Sequence, residues 1–437
     1  MALAINTILI LIDQLMLFVV NLLVAHKVDQ ALFGDFVTAV QILLFLSVIA
    51  TLGVDSVLSY YVPKYFQNKK YSLLFSLLSD IKKFLNSLYL LIFLVGLFSC
   101  LIVITMGVFF VKVSIFEVSH PTFLFLWGLV IISMYTIFLQ LLRCINYMRL
   151  SIFFSFLQTL VYFILAVIIS FYIFPTYFSG RHLYFPHLML LGFFISYSLI
   201  VIPMVTIIKN FKDKIIKTMT KESVSNPQWK NKAIGYTIQS LGIYIFTTIP
   251  LVSMEIAGRD ESSVGLFAVI ISIISLACIA IQPINILISP EISAAYSTSK
   301  EKLLMVLKRA LTASSIIGII ITTMFFIFAK PLLKLYPSEF SSVLFYVYLC
   351  LFNIMLYALS LPFSRVIQYS HKGNLLGAKI TIFYLILQTV LSTIFSYFYD
   401  LQGAVFCLIA IRLMYTLTSS SVALIIIKNY DIKHYQT

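Results

Sequence analysis

The stretch Ile8–Ala25, with the sequence ILILIDQLMLFVVNLLVA, combines the composition of a membrane span with an acid near its centre. Its polar residues are Asp13, Gln14 and Asn21. A charged side chain at the centre of a bilayer costs roughly 2.5–3.5 kcal/mol on insertion scales. We therefore expect this helix to turn its polar residues toward a polar interior and its apolar residues toward lipid.

The composition of the whole chain is that of a membrane protein. Of its 437 residues, 61% are hydrophobic and 11% are charged, and the mean hydropathy is +1.04. Soluble domains carry about 25% charged residues. Apolar runs of about 20 residues recur along the chain, which is the length of a helix that crosses a bilayer, and they lack the alternation of barrel strands. The sequence predicts an all-α polytopic membrane protein.

The apolar runs predict twelve transmembrane helices. We expect them at residues 3–25, 36–62, 84–111, 121–142, 151–174, 186–208, 232–254, 264–290, 310–329, 340–361, 375–399 and 403–427.

Two similar stretches indicate an internal repeat. FGDFVTAVQILLF begins at Phe33 and VGLFAVIISII begins at Val264, and both lead through a long span to a proline, Pro63 or Pro290. They belong to predicted spans 2 and 8, so an even number of spans separates them and the repeats are parallel. Transporters built from repeats bind substrate between the halves. We expect two parallel six-helix bundles around a central cavity, with residues 1–208 and 232–437 as the bundles and 209–231 as a basic cytoplasmic linker.

The distribution of basic residues predicts that both termini are cytoplasmic. With this orientation, 22 of the 30 Lys and Arg residues fall in inside loops or the C-terminal tail, and 6 fall in outside loops. The net charge of +14 is then a topology signal that requires no nucleic-acid partner. Membrane lipids are expected partners of the inside lysines. The five cysteines form no CxxC or Cys/His cluster, so no disulfide, metal or cofactor is predicted.

Two spans carry a polar stripe on one helical face, at about 100° per residue. In the first span the stripe consists of Asn6, Asp13, Gln14 and Asn21. In the seventh span it consists of Tyr236, Ser240, Tyr244 and Thr247, and Glu255 follows at the outside end. Facing each other, the two stripes would line a central water-filled cavity.

Arg412 lies near the middle of the twelfth span and is the costliest residue of the chain to insert. We expect it either to bind the phosphate of a substrate or to be structural, in an ion pair with Asp13 or Glu255 or in a hydrogen-bonded contact between helices. Asp13 itself either couples transport to an ion or is structural. Lys379 lies near the inside start of its span, and its side chain can extend to the membrane surface. For Asp55 we favour a structural role.

An enzyme is not predicted. The chain has no P-loop, no HExxH motif and no Ser/His/Asp set with plausible spacing. The predicted outside loops are about 13 residues or shorter, whereas a membrane glycosyltransferase or glycan polymerase needs a long loop for its catalytic residues.

Three segments resemble the polysaccharide flippases of bacteria. They are DQLMLFVVNLLVAHKVDQALFGDF (13–36), LGVDSVLSYYVPKY (52–65) and SSVGLFAVIISI (262–273). The first resembles the opening of Wzx-type oligosaccharide-lipid transporters of the multidrug/oligosaccharidyl-lipid/polysaccharide exporter superfamily, with an acidic–polar pair, a later Asn and a loop ending in Gly-x-Phe.

The resemblance implies alternating access and a substrate made of an undecaprenyl-diphosphate-linked oligosaccharide, moved from the cytoplasmic to the outer leaflet of the bacterial inner membrane for O-antigen, capsule or exopolysaccharide synthesis. Its implied partners are this lipid-linked oligosaccharide, a coupling ion (H+ or Na+) and glycan polymerase or ligase machinery. The candidate substrate-binding residues are Arg412, Asn21, Gln14, Gln239, Tyr244 and Lys379, and the candidate ion-coupling residues are Asp13 and Glu255.

This chain departs from the family pattern because it has few cations at mid-membrane, which leaves Arg143 and Lys379 as further candidates for the diphosphate. The alternative function is an ion-coupled antiporter of drugs or organic cations from the same superfamily. It would use an acidic cavity, for which Asp13 and Glu255 could serve, and Arg412 argues against it.

Overall fold

Thirteen helices account for most of the described chain. The structure is a computed structural model, and it describes residues 2–67, 70–106, 120–145, 147–178, 180–216, 229–279, 281, 288, 291–292, 295–296, 298–370 and 373–430. The first seven helices are α1 (Ala2–Ala25), α2 (Gln30–Thr51), α3 (Val54–Gln67), α4 (Tyr71–Met106), α5 (Thr122–Cys144), α6 (Met148–Tyr177) and α7 (Tyr184–Ile216). The others are α8 (Trp229–Ser240), α9 (Thr248–Ala257), α10 (Glu261–Ile279), α11 (Lys300–Leu333), α12 (Leu344–Tyr369) and α13 (Gly373–Lys428).

Among the described residues, nine helices are long and apolar enough to cross a membrane. A further pair of helical segments, one ending at Phe246 and the next at Ala257, is bent at its junction and raises this number to ten when it is counted as one span. The all-α polytopic prediction is therefore confirmed. Two differences explain why this number is smaller than the twelve predicted spans. The first predicted span contains a shorter apolar helix, Leu11–Ala25, and the last two predicted spans both lie in α13. The end of the third predicted span and much of the C-terminal half of the eighth lie outside the described residues.

A sharp turn divides α13 at Asp400, between the predicted eleventh and twelfth spans. Asp400 has a φ of +44° inside this otherwise helical segment, and its Oδ1 accepts a hydrogen bond of 2.7 Å from the backbone N–H of Arg259. A Cβ atom at Gly403 would overlap the carbonyl oxygen of Phe395. The glycine is required because the two arms of α13 meet with almost no connecting loop.

The chain forms two compact units, which do not coincide with the predicted halves. The first unit comprises Met1–Val28 and Asp35–Leu241, and the second comprises Asp29–Gly34 and Gly242–Thr437. The helix α8, predicted to open the second bundle, packs on the first unit: Trp229 is 1% exposed and its ring lies 5.6 Å from that of Phe84 on α4. Of the predicted linker, residues 217–228 lie outside the described part of the chain.

The two glycines of the repeat meet inside the second unit. Gly34 and Gly265 are so close that a Cβ atom at Gly34 would lie 2.9 Å from the Gly265 nitrogen. Beside them, the Gln30 side chain donates a hydrogen bond of 3.0 Å to the Glu339 carbonyl, and the Phe33 and Phe340 rings are 5.6 Å apart. The shared Gly-x-Phe pattern therefore has a packing reason, because only glycine permits this approach of α2 and α10.

A second glycine contact lies at the break between α2 and α3. Gly53 has a φ of +67°, and a Cβ atom there would overlap the carbonyl oxygen of Ala233 on α8. We expect Gly53→Ala to destabilise the protein by roughly 2–5 kcal/mol, from the left-handed conformation and from overpacking. Gly180 is the matched control, because it has a φ of +79° but nothing within 4 Å of the position that an added methyl group would take. Thermal unfolding in detergent should show a clearly smaller loss for Gly180→Ala. Equal losses would contradict the contact with α8.

Candidate functional site

In the first unit, Asp13 is a buried carboxylate without a cationic partner. Its side chain is 8% exposed. Gln14 donates a hydrogen bond of 3.3 Å to Oδ2, and Thr159 of α6 lies beside the carboxylate. Within the described residues, Oδ1 has no hydrogen-bond partner and no basic side chain forms an ion pair with it. An isolated carboxylate in an apolar environment is strongly disfavoured, so this site favours a proton or a bound cation.

A polar network on α6 and α7 surrounds this acid. The Gln158 amide donates a hydrogen bond of 2.9 Å to Ser196, and the Thr159 hydroxyl donates to Gln158 at 3.4 Å. Both Gln158 and Ser196 are buried. Sequence reasoning missed this network, although a glutamine inside an apolar span was a visible signal. The predicted site residues Gln14 and Asn21 are half-buried on α1 in the same unit.

Arg143 in the first unit is hydrogen-bonded to neutral side chains. Its Nε donates a hydrogen bond of 3.0 Å to Ser151, and a terminal nitrogen donates to Gln140 at 3.4 Å. Gln140 in turn donates to Ser59 at 2.6 Å. The Tyr135 side chain lies close enough to interact with the charges of both Asp13 and Arg143. The first unit therefore contains an acid and a base that both lie near Tyr135.

His120 lies just before α5 and is half-buried. Burial, together with the nearby His187, lowers the pKa of His120 to about 4. The Thr122 backbone N–H donates to His120 Nδ1 at 3.3 Å. Burial therefore favours the neutral form of this imidazole.

The predicted polar stripe of the seventh span is interrupted. Leu241–Phe246 forms a 3₁₀ turn between α8 and α9, and the helix bends by 61° at this point. A 3₁₀ turn advances about 120° per residue instead of 100°, so the residues after Ser240 leave the predicted face. The break ends at Phe246, four residues before Pro250, whose ring clashes with the carbonyl of the residue four positions earlier in a helix. Gln239 lies in the first unit, and Tyr244 and Glu255 lie in the second, all half-buried.

In the second unit, aromatic rings surround Arg412. Its guanidinium carbon lies 3.5 Å from the centre of the Phe246 ring and 5.3 Å from that of Tyr357. Its Nε is buried and has no hydrogen-bond partner among the described residues. No carboxylate of the described second unit forms an ion pair with it. The predicted alternative of an ion pair with Glu255 is therefore not observed. The aromatic neighbours were not predicted, since span tyrosines and phenylalanines are usually lipid-facing.

The remaining predicted cation, Lys379, is exposed near the beginning of α13. A long lysine side chain at this position can reach the membrane surface, which agrees with the structural interpretation of this residue. Arg412, in contrast, is half-buried and its Nε is enclosed.

Comparisons with known proteins give a fold. No known protein family matches the chain through its family model, and no curated protein matches it. Solved structures match over nearly the whole chain. A multidrug resistance MATE family transporter of the MOP superfamily, in an inward-facing conformation, has a TM-score of 0.68 at 14% identity, covering 99% of this chain and 100% of the other. The outward-facing conformation of such a transporter has a TM-score of 0.64 at 15% identity, covering 98% and 95%.

A further match is a MOP superfamily transporter from Pyrococcus furiosus Vc1, described as having a binding pocket of reversed polarity that suggests a different function. Its TM-score is 0.68 at 15% identity, and 98% of this chain and 95% of the other are covered. The matched proteins are described as transporters. Over its full length, the chain has the fold of MOP superfamily transporters.

Proposed function

We propose that this protein is a flippase that moves an undecaprenyl-diphosphate-linked oligosaccharide from the cytoplasmic to the outer leaflet by alternating access. The repeat unit would then serve the synthesis of a surface polysaccharide such as O-antigen, capsule or exopolysaccharide. The proposal includes twelve spans in two parallel six-helix bundles around a central cavity, in a bacterial inner membrane, with both termini cytoplasmic. It also includes Gln14, Asn21, Gln239 and Tyr244 as polar groups that contact the substrate.

The observation that supports the proposal most strongly is the environment of the Arg412 guanidinium. The guanidinium lies in the middle of an apolar helix, in contact with aromatic rings and without a carboxylate of its own unit. An uncompensated charge inside a membrane is costly and marks a functional position. Arginine binds phosphate oxygens through two parallel hydrogen bonds. A diphosphate would therefore supply the missing negative charge, and the aromatic rings nearby suit the faces of sugar rings.

Asp13 is the proposed ion-coupling residue, with Glu255 as a second candidate. Binding of a proton or of Na+ neutralises the buried Asp13 carboxylate, which lowers the cost of keeping it in a membrane-embedded unit. Asp13 belongs to the first unit and Arg412 to the second.

The alternative is an ion-coupled antiporter of drugs or organic cations, and the multidrug resistance transporters of the same fold favour it. An organic cation would be attracted by Asp13 and repelled by Arg412. The Pyrococcus furiosus transporter, described with reversed pocket polarity and a suggested different function, indicates that this fold accommodates more than one ligand charge.

A binding experiment separates the two functions. We expect the purified full-length protein to bind geranyl diphosphate, a short isoprenyl diphosphate, and to bind it at least about tenfold more tightly than ethidium, because Arg412 offers charge-assisted hydrogen bonds to the diphosphate alone. Isothermal titration calorimetry in detergent measures the affinities for geranyl diphosphate and for ethidium. Geraniol, which lacks the diphosphate, is the matched control and should bind weakly. Tight binding of ethidium without binding of the diphosphate would establish the antiporter instead.

A further inference from the structure

Phe246 stands at an unusual place in the fold. It is the last residue of the 3₁₀ turn at the 61° bend between α8 and α9, and its side chain is 4% exposed. Its ring contacts that of Tyr415 at 5.5 Å, and the Tyr415 ring contacts that of Tyr384 at 5.3 Å. The Tyr384 hydroxyl is tied to α13 by hydrogen bonds to the Met414 carbonyl at 3.0 Å and to the Thr418 hydroxyl at 2.5 Å. The Phe246 ring thus packs against a tyrosine pair of α13 that is held by hydrogen bonds.

The distance between the Phe246 ring and the Arg412 guanidinium carbon determines how the plane of the guanidinium is oriented relative to the ring. The guanidinium carbon is 3.5 Å from the ring centre, which is the contact distance of two carbon atoms. At this distance the planar guanidinium lies flat on the ring. An edge-on guanidinium would place its N–H groups inside the ring. The face of the Arg412 cation is therefore occupied by Phe246.

Stacking leaves the edges of the guanidinium available. Its five N–H groups point outward in the plane of the group, and a phosphate binds in this plane. A carboxylate partner would occupy the same N–H groups and cancel the charge. An aromatic ring instead attracts the cation through its π face without using a hydrogen-bond donor. The buried Nε of Arg412, which lacks a hydrogen-bond partner among the described residues, agrees with this arrangement.

We propose that Phe246 is a positioning residue, which holds the Arg412 guanidinium flat and uncompensated so that its edge receives an anionic ligand. Only the identity of this ligand, an organic diphosphate, rests on the proposed function. The stacking itself does not. In this proposal the break in the helix has a function, because the 3₁₀ turn positions the Phe246 ring against α13.

The stacking is tested first without a ligand. The chain has seven arginines, so labelling with ¹⁵Nε-arginine gives at most seven Nε–H signals by NMR, and Arg412→Lys identifies the one of Arg412. We expect this signal to be shifted upfield by the Phe246 ring, to lose the shift in Phe246→Leu, and to keep it in Phe246→Tyr. A shift that survives in Phe246→Leu would overturn the proposal whatever the ligand is.

Binding of geranyl diphosphate to the full-length protein gives the second test. A cation–π contact in a desolvated site corresponds to roughly a 5–30-fold change in affinity. We expect Phe246→Leu to weaken binding by this factor and Phe246→Tyr to remain within about threefold of the native protein. In an Arg412→Gln background, Phe246→Leu should have no further effect on affinity, because a positioning residue acts only through the residue it holds. An equal loss in that background would show a merely structural role.

Phe340→Leu is the matched control for the loss of a buried ring. Phe340 is 1% exposed in the same unit and packs on Phe33 and Tyr336. Its replacement should lower stability and leave the affinity for geranyl diphosphate and the Arg412 signal unchanged. If the ring-current shift behaves as expected but the native protein binds no diphosphate, the positioning role of Phe246 stands and the proposed function fails.

Discussion

Replacing Arg412 by alanine is expected to abolish transport while the protein still inserts and folds. The substitution removes two charge-assisted hydrogen bonds to the diphosphate, each worth roughly 1.5–3 kcal/mol. Their combined loss corresponds to roughly a 10²–10⁴-fold decrease in transport. Arg412→Lys keeps the charge but loses the planar pair of donors and the flat contact with Phe246, so we expect partial transport. Complementation of a gene deletion, measured as surface polysaccharide, gives the result.

The matched control is Arg309→Ala, since Arg309 is an exposed arginine of the same unit, on α11. Its replacement should leave transport unchanged, and immunoblotting of membranes should show equal amounts of all variants. Transport by Arg412→Ala at the native level would remove Arg412 from the substrate site and leave it a structural residue stacked between aromatic rings.

Replacing Asp13 by asparagine is expected to uncouple transport from the ion gradient. Asparagine imitates the neutral form of the carboxylate permanently, and so the dependence of transport on pH or sodium should disappear. Coupling between two sites typically amounts to roughly a 5–150-fold effect, and in Asp13→Asn the rate ratio with and without the gradient should fall to about one. Transport in proteoliposomes, with imposed pH or sodium gradients, measures this ratio.

Asp80→Asn serves as the control for Asp13→Asn, because Asp80 is a partly buried acid of the same unit on α4. The native ratio should be retained in this variant. A native dependence on the gradient in Asp13→Asn would mean that Asp13 is structural, and Glu255 would then be the candidate for ion coupling.

The membrane character and most helix positions were predictable because they follow from local composition. A run of apolar residues forms a helix in a bilayer irrespective of its neighbours, since no other structure satisfies its backbone. The turn at Asp400 was likewise predictable, because the polar residues Asp400 and Gln402 and the glycine Gly403 interrupt two apolar runs. The glycines Gly34 and Gly265 were recognised as a repeat, and their packing reason appears only in the structure.

The features that could not be predicted from the sequence depend on contacts between residues that are far apart in the chain. The helix α8 joins the first unit because Trp229 fits against Phe84, and no local pattern indicates this pairing. Pro250 indicates a kink near Phe246, but no local pattern indicates the 3₁₀ turn Leu241–Phe246 that precedes it. For the same reason Phe246 looked like one more lipid-facing ring, although it lies against Arg412.

The charged residues of the proposed site were candidates from the sequence, whereas most of its neutral residues were not. Charged residues in apolar spans are conspicuous because each one is costly, and Asp13 and Arg412 were found for that reason. The residues that hold them, such as Gln158 near Asp13 and Phe246 at Arg412, are ordinary in composition. Their role depends on geometry.

The most direct test of the central claim measures the sidedness of the lipid-linked oligosaccharide in the native host. The gene is deleted, and undecaprenyl-linked repeat units are quantified in the two leaflets with a membrane-impermeant sugar-modifying reagent. Our account predicts loss of the surface polysaccharide and accumulation of repeat units on the cytoplasmic side, both reversed by the native gene. An intact surface polysaccharide, with cells that become sensitive to cationic drugs, would contradict it and establish the antiporter.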